Sequence, residues 1–447
     1  MKRILFTAMH SGAGKTVAVC GFLAAMKQRG TDVRAFKCGP DYIDPMFHAR
    51  VLGVPSRNLD LFLQGEEKVR ESLARNGGAL AVLEGAMGYY DGEAGTDRAS
   101  AWQVARATRT PAILIVRPKG VGLTLAAQIK GVIGFREESG IAGILLTDCK
   151  SSLHSYLKPL LEKETGLPVV GYLPPMEEAK LESRHLGLLT AGEVEDFAER
   201  FRAIAAQMEE TVDLDRILEL AAEDPLPVPE ETLKPRRCRI GVAKDEAFCF
   251  YYADSLDALT RAGAELCYFS PTRDEALPEG LSGLYLGGGY PELYAKELSE
   301  NVPMRRAVRA AIEAGVPTLA ECGGFLYLHE ELEDPEGKAY PAVGAVAGRG
   351  FGTKSLKRFG YAKLCPEADS MLFRAGEEIP VHEFHYWDCT ENGDDLLVKK
   401  SSGRSWRCGL TGPAIYTAFP HLHLDGEAPL AERFVSACEN FEKERGK

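Results

Sequence analysis

Short apolar runs of strand length alternate with helical patterns through the first half of the chain: Arg3 to Thr7, Val33 to Lys37, Ala79 to Glu84, Ala112 to Val116, Ile141 to Thr147 and Val169 to Leu173. That rhythm predicts a parallel, doubly wound α/β sheet. Between Glu193 and Ala222, Phe197, Phe201, Ile204 and Met208 recur about once per turn, so a helix is expected there, packed on the first domain. The pattern then breaks. Asp224-Pro225-Leu226-Pro227-Val228-Pro229, continuing to Pro235-Arg236-Arg237, is too proline-rich for a helix or an inner strand. Strand patterns resume at Arg239 to Ala243, Glu265 to Phe269, Gly283 to Leu286 and Pro317 to Ala320. The expected organisation is therefore two α/β domains, residues 1–223 and 238–447, joined by a linker at 224–237.

Composition narrows the setting. A chain of 447 residues, 45% of them hydrophobic, can bury more than one core, which agrees with two domains. A formal charge of -12 with no dense Lys/Arg run argues against nucleic acid as a partner. Lys2-Arg3 before Ile4-Leu5-Phe6 briefly resembles a signal peptide, but His10, Ser11 and the glycines end the apolar run, which is read as a first strand. No run approaches the roughly 18 apolar residues of a spanning helix, so no membrane is expected. Eleven cysteines, an odd number without a CxxC pair, point to a reducing compartment and hence the cytoplasm.

Two chemistries are written into this frame. Ser11-Gly12-Ala13-Gly14-Lys15-Thr16 lies between the first strand and an apolar helix, Val17 to Met26. It offers a nest of backbone N–H groups, a helix N-terminus, a phosphate-binding lysine and a threonine hydroxyl suited to Mg²⁺, so ATP or GTP is expected there. Magnesium needs further oxygen ligands at neighbouring strand ends, where Asp44, Glu84 and Asp91 stand. Each can also be read as a loop cap; the ligand reading is preferred for Asp44 and Glu84, and the two readings balance for Asp91. Partitioning-type ATPases with a similar short loop carry a further lysine where this chain has His10, which weakens a regulatory-ATPase reading.

Far downstream, Cys322 follows an apolar strand and precedes Gly323-Gly324 and Phe325-Leu326-Tyr327-Leu328. Such a strand-nucleophile-helix turn exposes the sulfur at a helix N-terminus and lets backbone N–H groups, Gly323 included, form an oxyanion hole. Gly287-Gly288-Gly289 follows another strand, and Gly288 and Gly289 are expected to complete that hole. The base should be a histidine; of His421 and His423, His421 is preferred. His382, His385, His421 and His423 could also be read as metal ligands, which the missing cysteines at zinc spacing disfavour.

In order, SGAGKT, KCGPDYIDPMFH, LEGAMGYYDG, YLGGGYPELYAKELSEN, AECGGFLYL, HEFHY and HLH resemble the cobyrinic acid a,c-diamide synthase family of corrinoid biosynthesis. The likeness spans residues 1 to about 425. The first half alone is similar to dethiobiotin synthetase and the second to class I glutamine amidotransferases. The resemblance implies that ATP phosphorylates a macrocycle carboxylate, with Mg²⁺ on Thr16, Asp44 and Glu84 and with Lys37 or Asp41 close to the transferred phosphoryl group. Cys322 would release ammonia from glutamine, and an enclosed route between the domains is expected. The substrates implied are cobyrinic acid and L-glutamine, and a homodimer is the assembly entertained. Most triad amidotransferases place a glutamate two residues after the histidine; His423 stands there, so Cys322 and His421 are expected to act as a dyad.

Within the ligases, nickel-sirohydrochlorin or hydrogenobyrinic acid is the alternative macrocycle; from another class, a regulatory or binding ATPase with a decayed glutaminase half is the alternative. A polycarboxylate approaching a chain of charge -12 needs a locally basic site. His48 and Arg50, and Lys354, Lys357 and Arg358, are the candidate contacts, with Asp91 a further one.

Overall fold

In the computed structural model, the first apolar run becomes a strand at the middle of a seven-stranded parallel sheet. The structure describes residues 1–178, 191–228 and 234–445. They fall into two units, Met1–Pro229 and Glu230–Lys447.

The strands of the first unit are β1 (Lys2–Ala8), β2 (Val33–Cys38), β3 (Ser56–Leu59), β4 (Leu80–Glu84), β5 (Ala112–Val116), β6 (Ile141–Leu146) and β7 (Val169–Tyr172). Their order is β3-β2-β4-β1-β5-β6-β7. Phe6 and Lys37 both stand beside Glu84 in the register, so the ends of β1, β2 and β4 converge at one edge. That edge is where ligands gather in open α/β sheets. Helix α1 (Lys15–Gln28) begins there, buries Ala18, Val19 and Phe22 on the sheet, and packs against the helix Ala191–Thr211. Phe201, Ile204 and Met208 are buried on that helix, as its periodicity predicts. A second short helix, Leu214–Leu220, follows.

The second unit has β8 (Cys238–Ala243), β9 (Phe248–Phe250), β10 (Ala264–Phe269), β11 (Gly283–Leu286), β12 (Gly288–Gly289) and β13 (Thr318–Glu321). Strands β10, β8, β11, β13 and Ile415–Ala418 pair in parallel, and Leu410–Thr411 closes the sheet antiparallel. The family-level expectation of α/β architecture in both halves is met. Two further sheets, of four and five strands, occupy residues 329–422 and were not anticipated. The five-stranded one pairs Ile379–His385 with Arg358–Pro366 and with His421–Leu422.

Both ends of the proline-rich stretch are fastened. The wholly buried Arg3 donates to the Asp224 carbonyl and carboxylate, each at 2.5 Å, and to the Thr108 carbonyl at 2.9 Å. Arg237 donates its backbone N–H to the Gly263 carbonyl at 2.8 Å. The middle of the expected linker, 229–233, lies outside the described residues. Among the described residues no helix is long and apolar enough to cross a membrane.

Candidate active sites

Gly14 enters α1 with φ of 88°, a left-handed turn that a side chain resists, and Thr147 packs beneath it, donating to the Ala13 carbonyl at 2.8 Å. The turn leaves the first N–H groups of α1 without helical partners, the usual setting for phosphate. Lys15 folds back over the loop, donating to the carbonyls of His10 at 3.2 Å and Met87 at 2.5 Å. Burial and the nearby Lys37 pull its ammonium down to about 8. The exposed His10 ring bonds its neighbour's carbonyl, Ser11 O, at 2.7 Å through Nδ1.

Around the end of β4 the side chains form one network. Glu84 accepts from Thr16 Oγ1 at 2.8 Å and from Lys37 Nζ at 3.2 Å, and Lys37 also pairs with Asp44. Burial works against the Lys37 charge, yet Asp44 and Glu84 together hold its pKa high. Burial lifts Asp44 to about 6, while Glu84 is kept low because Lys37, His48 and Thr16 outweigh its own burial. Two carboxylates whose acidities are pushed apart are a mark of a working site.

Thr16, Asp44 and Glu84 supply the hard oxygens that magnesium takes. Among the described residues no group of three or more His, Cys, Asp or Glu forms a metal cage. Magnesium uses one or two carboxylates plus phosphates and water, so this donor set fits it. A cleft of about 360 Å³ runs on from Gly12 and Gly14, between Arg117, Asp148, Pro174 and Met176.

Helix α2 (Ile43–Val51) carries Asp44 in its first turn. Asp41 caps that turn, its Oδ1 accepting from Ile43 N at 2.8 Å, and Asp91 accepts from Gly88 N at 2.8 Å. Both caps leave one carboxylate oxygen for other work. His48 needs correcting: it is wholly buried, its Nε2 3.3 Å from Glu84 Oε2 and its Nδ1 3.1 Å from Ser56 Oγ. With no exposed surface it braces Glu84 instead of meeting a macrocycle, while its neighbour Phe47 packs on Phe197 and Phe201. Arg50 is exposed at the far end of α2.

In the second unit, Cys322 sits just past β13 with φ 49° and ψ -100°, strain that marks a nucleophile elbow. A helix of six residues, Gly323–Leu328, follows it. Gly324 is required there: a Cβ would lie 2.1 Å from the Leu286 carbonyl oxygen at the end of β11. A Cβ on Gly323 would lie 3.0 Å from Gly289 N, and one on Gly288 would lie 2.6 Å from His421 Cε1. Gly288, Gly289, Gly323, Cys322 and His421 are thus gathered at one place.

His421 is buried, which opposes its charge, but the Cys322 sulfur and the Glu321 carboxylate raise it to about 10. His423 is also buried, lies against Tyr252 with ring centroids 4.8 Å apart and tilted by 31°, and is pushed down to about 4 by that burial. Glu321 escaped sequence reasoning. It is fully buried, with Oε2 at 3.9 Å from His421 Nδ1. Its position beside the nucleophile was the available signal, but only the fold shows which way it points.

Lys354 and Lys357 are exposed, with Lys357 3.4 Å from Asp388. Arg358 is partly buried, lies over the Trp406 ring at 4.9 Å and stands 3.9 Å from buried Glu383.

A phosphate loop and a cysteine elbow in separate α/β units define a nucleotide-using glutamine amidotransferase. Residues 4–189 match the CobQ/CobB/MinD/ParA nucleotide binding domain, and residues 239–428 match the CobB/CobQ-like glutamine amidotransferase domain. A cobyrinate a,c-diamide synthase of Caldanaerobacter subterraneus subsp. tengcongensis is 37% identical over 97% of this chain and 97% of its own. One from Listeria innocua is 39% identical over 95% and 96%, and one from Thermoplasma volcanium 36% over 99% and 98%. The chain belongs to the cobyrinate a,c-diamide synthase family. Its members are glutamine-dependent ligases that use ATP.

Proposed function

We propose that the protein amidates the a and c acetate carboxylates of cobyrinic acid, using ATP for activation and glutamine for nitrogen. The observation that carries this reading is the presence of two furnished centres: the Lys15 loop with the Thr16, Lys37, Asp44 and Glu84 network beside it, and the Cys322 and His421 elbow.

At the first centre, the N–H groups of Gly12 to Thr16 and the Lys15 ammonium hold the triphosphate, and the cleft past Gly14 takes the nucleoside. Thr16, Asp44 and Glu84 would hold Mg²⁺, which when bound neutralises phosphate charge. Lys37, fixed between Asp44 and Glu84, presents positive charge toward the phosphoryl group as it moves to the substrate carboxylate. Asp41 and Asp91 fix the loops beside this network by capping Ile43 N and Gly88 N. The product of this step is an acyl phosphate.

At the second centre, His421 takes the Cys322 proton and the sulfur attacks the glutamine amide carbon. The oxyanion meets backbone N–H groups of Gly289 and Gly323, and His421 returns its proton to the departing ammonia. Water then releases glutamate. An amine like ammonia is almost wholly protonated at neutral pH, so it must reach the acyl phosphate sheltered from bulk water. Attack expels phosphate and leaves the amide.

The test is product mass after incubation with ATP, glutamine and each of three macrocycles. Two successive losses of 1 Da on cobyrinic acid, at a rate above that on hydrogenobyrinic acid or nickel-sirohydrochlorin, are expected from replacing OH by NH2. A faster reaction on either competitor reassigns the substrate, and no product with any of them removes the ligase reading. Cys322→Ala should lose glutamine-supported synthesis while ammonium salts still support it, whereas Glu84→Gln should fail with both.

A further inference from the structure

The third member of the glutaminase centre comes from an unexpected place in the chain. We propose that Glu321, the residue immediately before the nucleophile, is the carboxylate that orients and charges His421, in the role that a residue two places after the histidine fills in most triad amidotransferases. This rests on reading Cys322 as the glutaminase nucleophile.

Four observations carry it. Glu321 ends β13 and is fully buried, and its Oε1 accepts the Leu422 N–H at 2.8 Å. That bond ties the carboxylate to the backbone directly after His421. Its Oε2 accepts from the Tyr285 hydroxyl at 3.1 Å and lies 3.9 Å from His421 Nδ1. The carboxylate therefore faces Nδ1 and leaves the opposite ring nitrogen for the sulfur. Among the described residues, His421 is the only basic group recorded within ion-pair distance of Glu321. A carboxylate removed from water needs a compensating cation, and here that cation is the imidazolium produced when His421 takes the thiol proton.

The separation of 3.9 Å is longer than a hydrogen bond. Catalytic hydrogen bonds in enzymes without substrate are often long and tighten in the substrate complex. A small rotation of the His421 ring suffices, since Glu321 is anchored by Leu422 and Tyr285.

The position two after the histidine cannot do this work. His423 is turned onto Tyr252, and its burial disfavours charge. The other titratable groups around the pair are His382, across the sheet from His421, and Tyr251, Tyr285 and Tyr416 near Glu321. None of them brings a fixed negative charge to Nδ1. Glu321 is thus a positioning residue: it acts on glutamine only through His421.

The experiment compares Glu321→Gln, Glu321→Asp, His423→Ala and Cys322→Ala in the full-length protein. Glutamine hydrolysis gives kcat and KM, iodoacetamide alkylation of Cys322 is followed against pH, and ammonium-supported amide synthesis controls for folding of the ligase half. Glutamine keeps an oxygen for the Leu422 N–H but removes the charge. Glu321→Gln should lower glutaminase kcat by about 10²-fold or more, with the glutamine KM within about 2-fold. The acid limb of alkylation should move to higher pH, because the proton passes less readily to an unsupported imidazole. Glu321→Asp should recover part of kcat, and His423→Ala should cost less than Glu321→Gln.

A merely structural role for Glu321 would leave the alkylation profile in place. An unshifted profile with kcat within about 3-fold of wild type overturns the proposal, as does a larger kcat loss in His423→Ala. If Glu321→Gln fails to fold, an unshifted profile in Glu321→Asp overturns it. Should Cys322→Ala retain glutaminase activity, the underlying assignment of the nucleophile falls instead.

Discussion

Lys15 shows how a single side chain is tuned by what surrounds it. A phosphate clamp must be positively charged, yet burial and Lys37 bring this ammonium down to about 8. The charged form binds phosphate and exists below that value. Nucleotide affinity of the free protein should therefore fall above about pH 8, by up to about tenfold per pH unit. Isothermal titration with a non-hydrolysable nucleotide across pH 6.5 to 9.5 checks this, and an affinity constant to pH 9.5 would contradict it. The phosphate-loop residues and Cys322 were legible in the sequence because their chemistry is set by immediate neighbours. Glu321 and His48 were not. Glu321 stands one residue past the apolar run Pro317 to Ala320 and His48 reads as a macrocycle contact, since the direction of each side chain depends on which strand or helix lies beside it.

At the level of elements, the elbow is a device for bringing backbones together. β11 and the short helix after Cys322 approach so closely that only glycine fits at position 324. Gly324→Ala should push that helix off Leu286 O and move Cys322 away from Gly288 and His421. We expect a destabilisation of about 1–3 kcal/mol, typical of overpacking, and a glutaminase loss larger than the stability change alone explains. Urea unfolding and glutamine hydrolysis measured together decide it; full activity with unchanged stability would mean that the contact relaxes freely. Apart from β3 and Ile415–Ala418, the parallel strands of the two main sheets were readable within a residue or two at their ends, because buried strands leave continuous apolar runs. β3 was missed: Ser56-Arg57-Asn58-Leu59 is an edge strand with little apolar signal. The antiparallel sheets of residues 329–422 were missed for a related reason. Their strands, such as His329–Glu333 and Val346–Gly352, mix charged residues and glycine with apolar ones.

On the scale of the whole molecule, a chain of net charge -12 has to attract a substrate that itself carries many carboxylates. Long-range attraction therefore cannot come from the overall charge and has to come from local basic surface. Arg358 is the least exposed of the three candidates Lys354, Lys357 and Arg358, lying over Trp406 and 3.9 Å from Glu383. Lys354 and Lys357 remain exposed, with Lys357 only loosely opposed by Asp388 at 3.4 Å. We expect Lys354→Ala with Lys357→Ala to raise the macrocycle KM by about 3- to 10-fold at low salt, each exposed charge being worth about 1 kcal/mol or less. The KM values for ATP and glutamine should not move, since neither lysine belongs to the phosphate loop or the elbow. Screening sets in beyond about 8 Å at physiological ionic strength, so the gap between wild type and variant should narrow as salt rises. Steady-state kinetics at 20 mM and 300 mM NaCl, roughly bracketing that screening length, read this directly. A macrocycle KM unchanged at low salt would move the binding surface to the Arg50 end of α2, where Arg50→Ala should then show the salt-dependent loss instead.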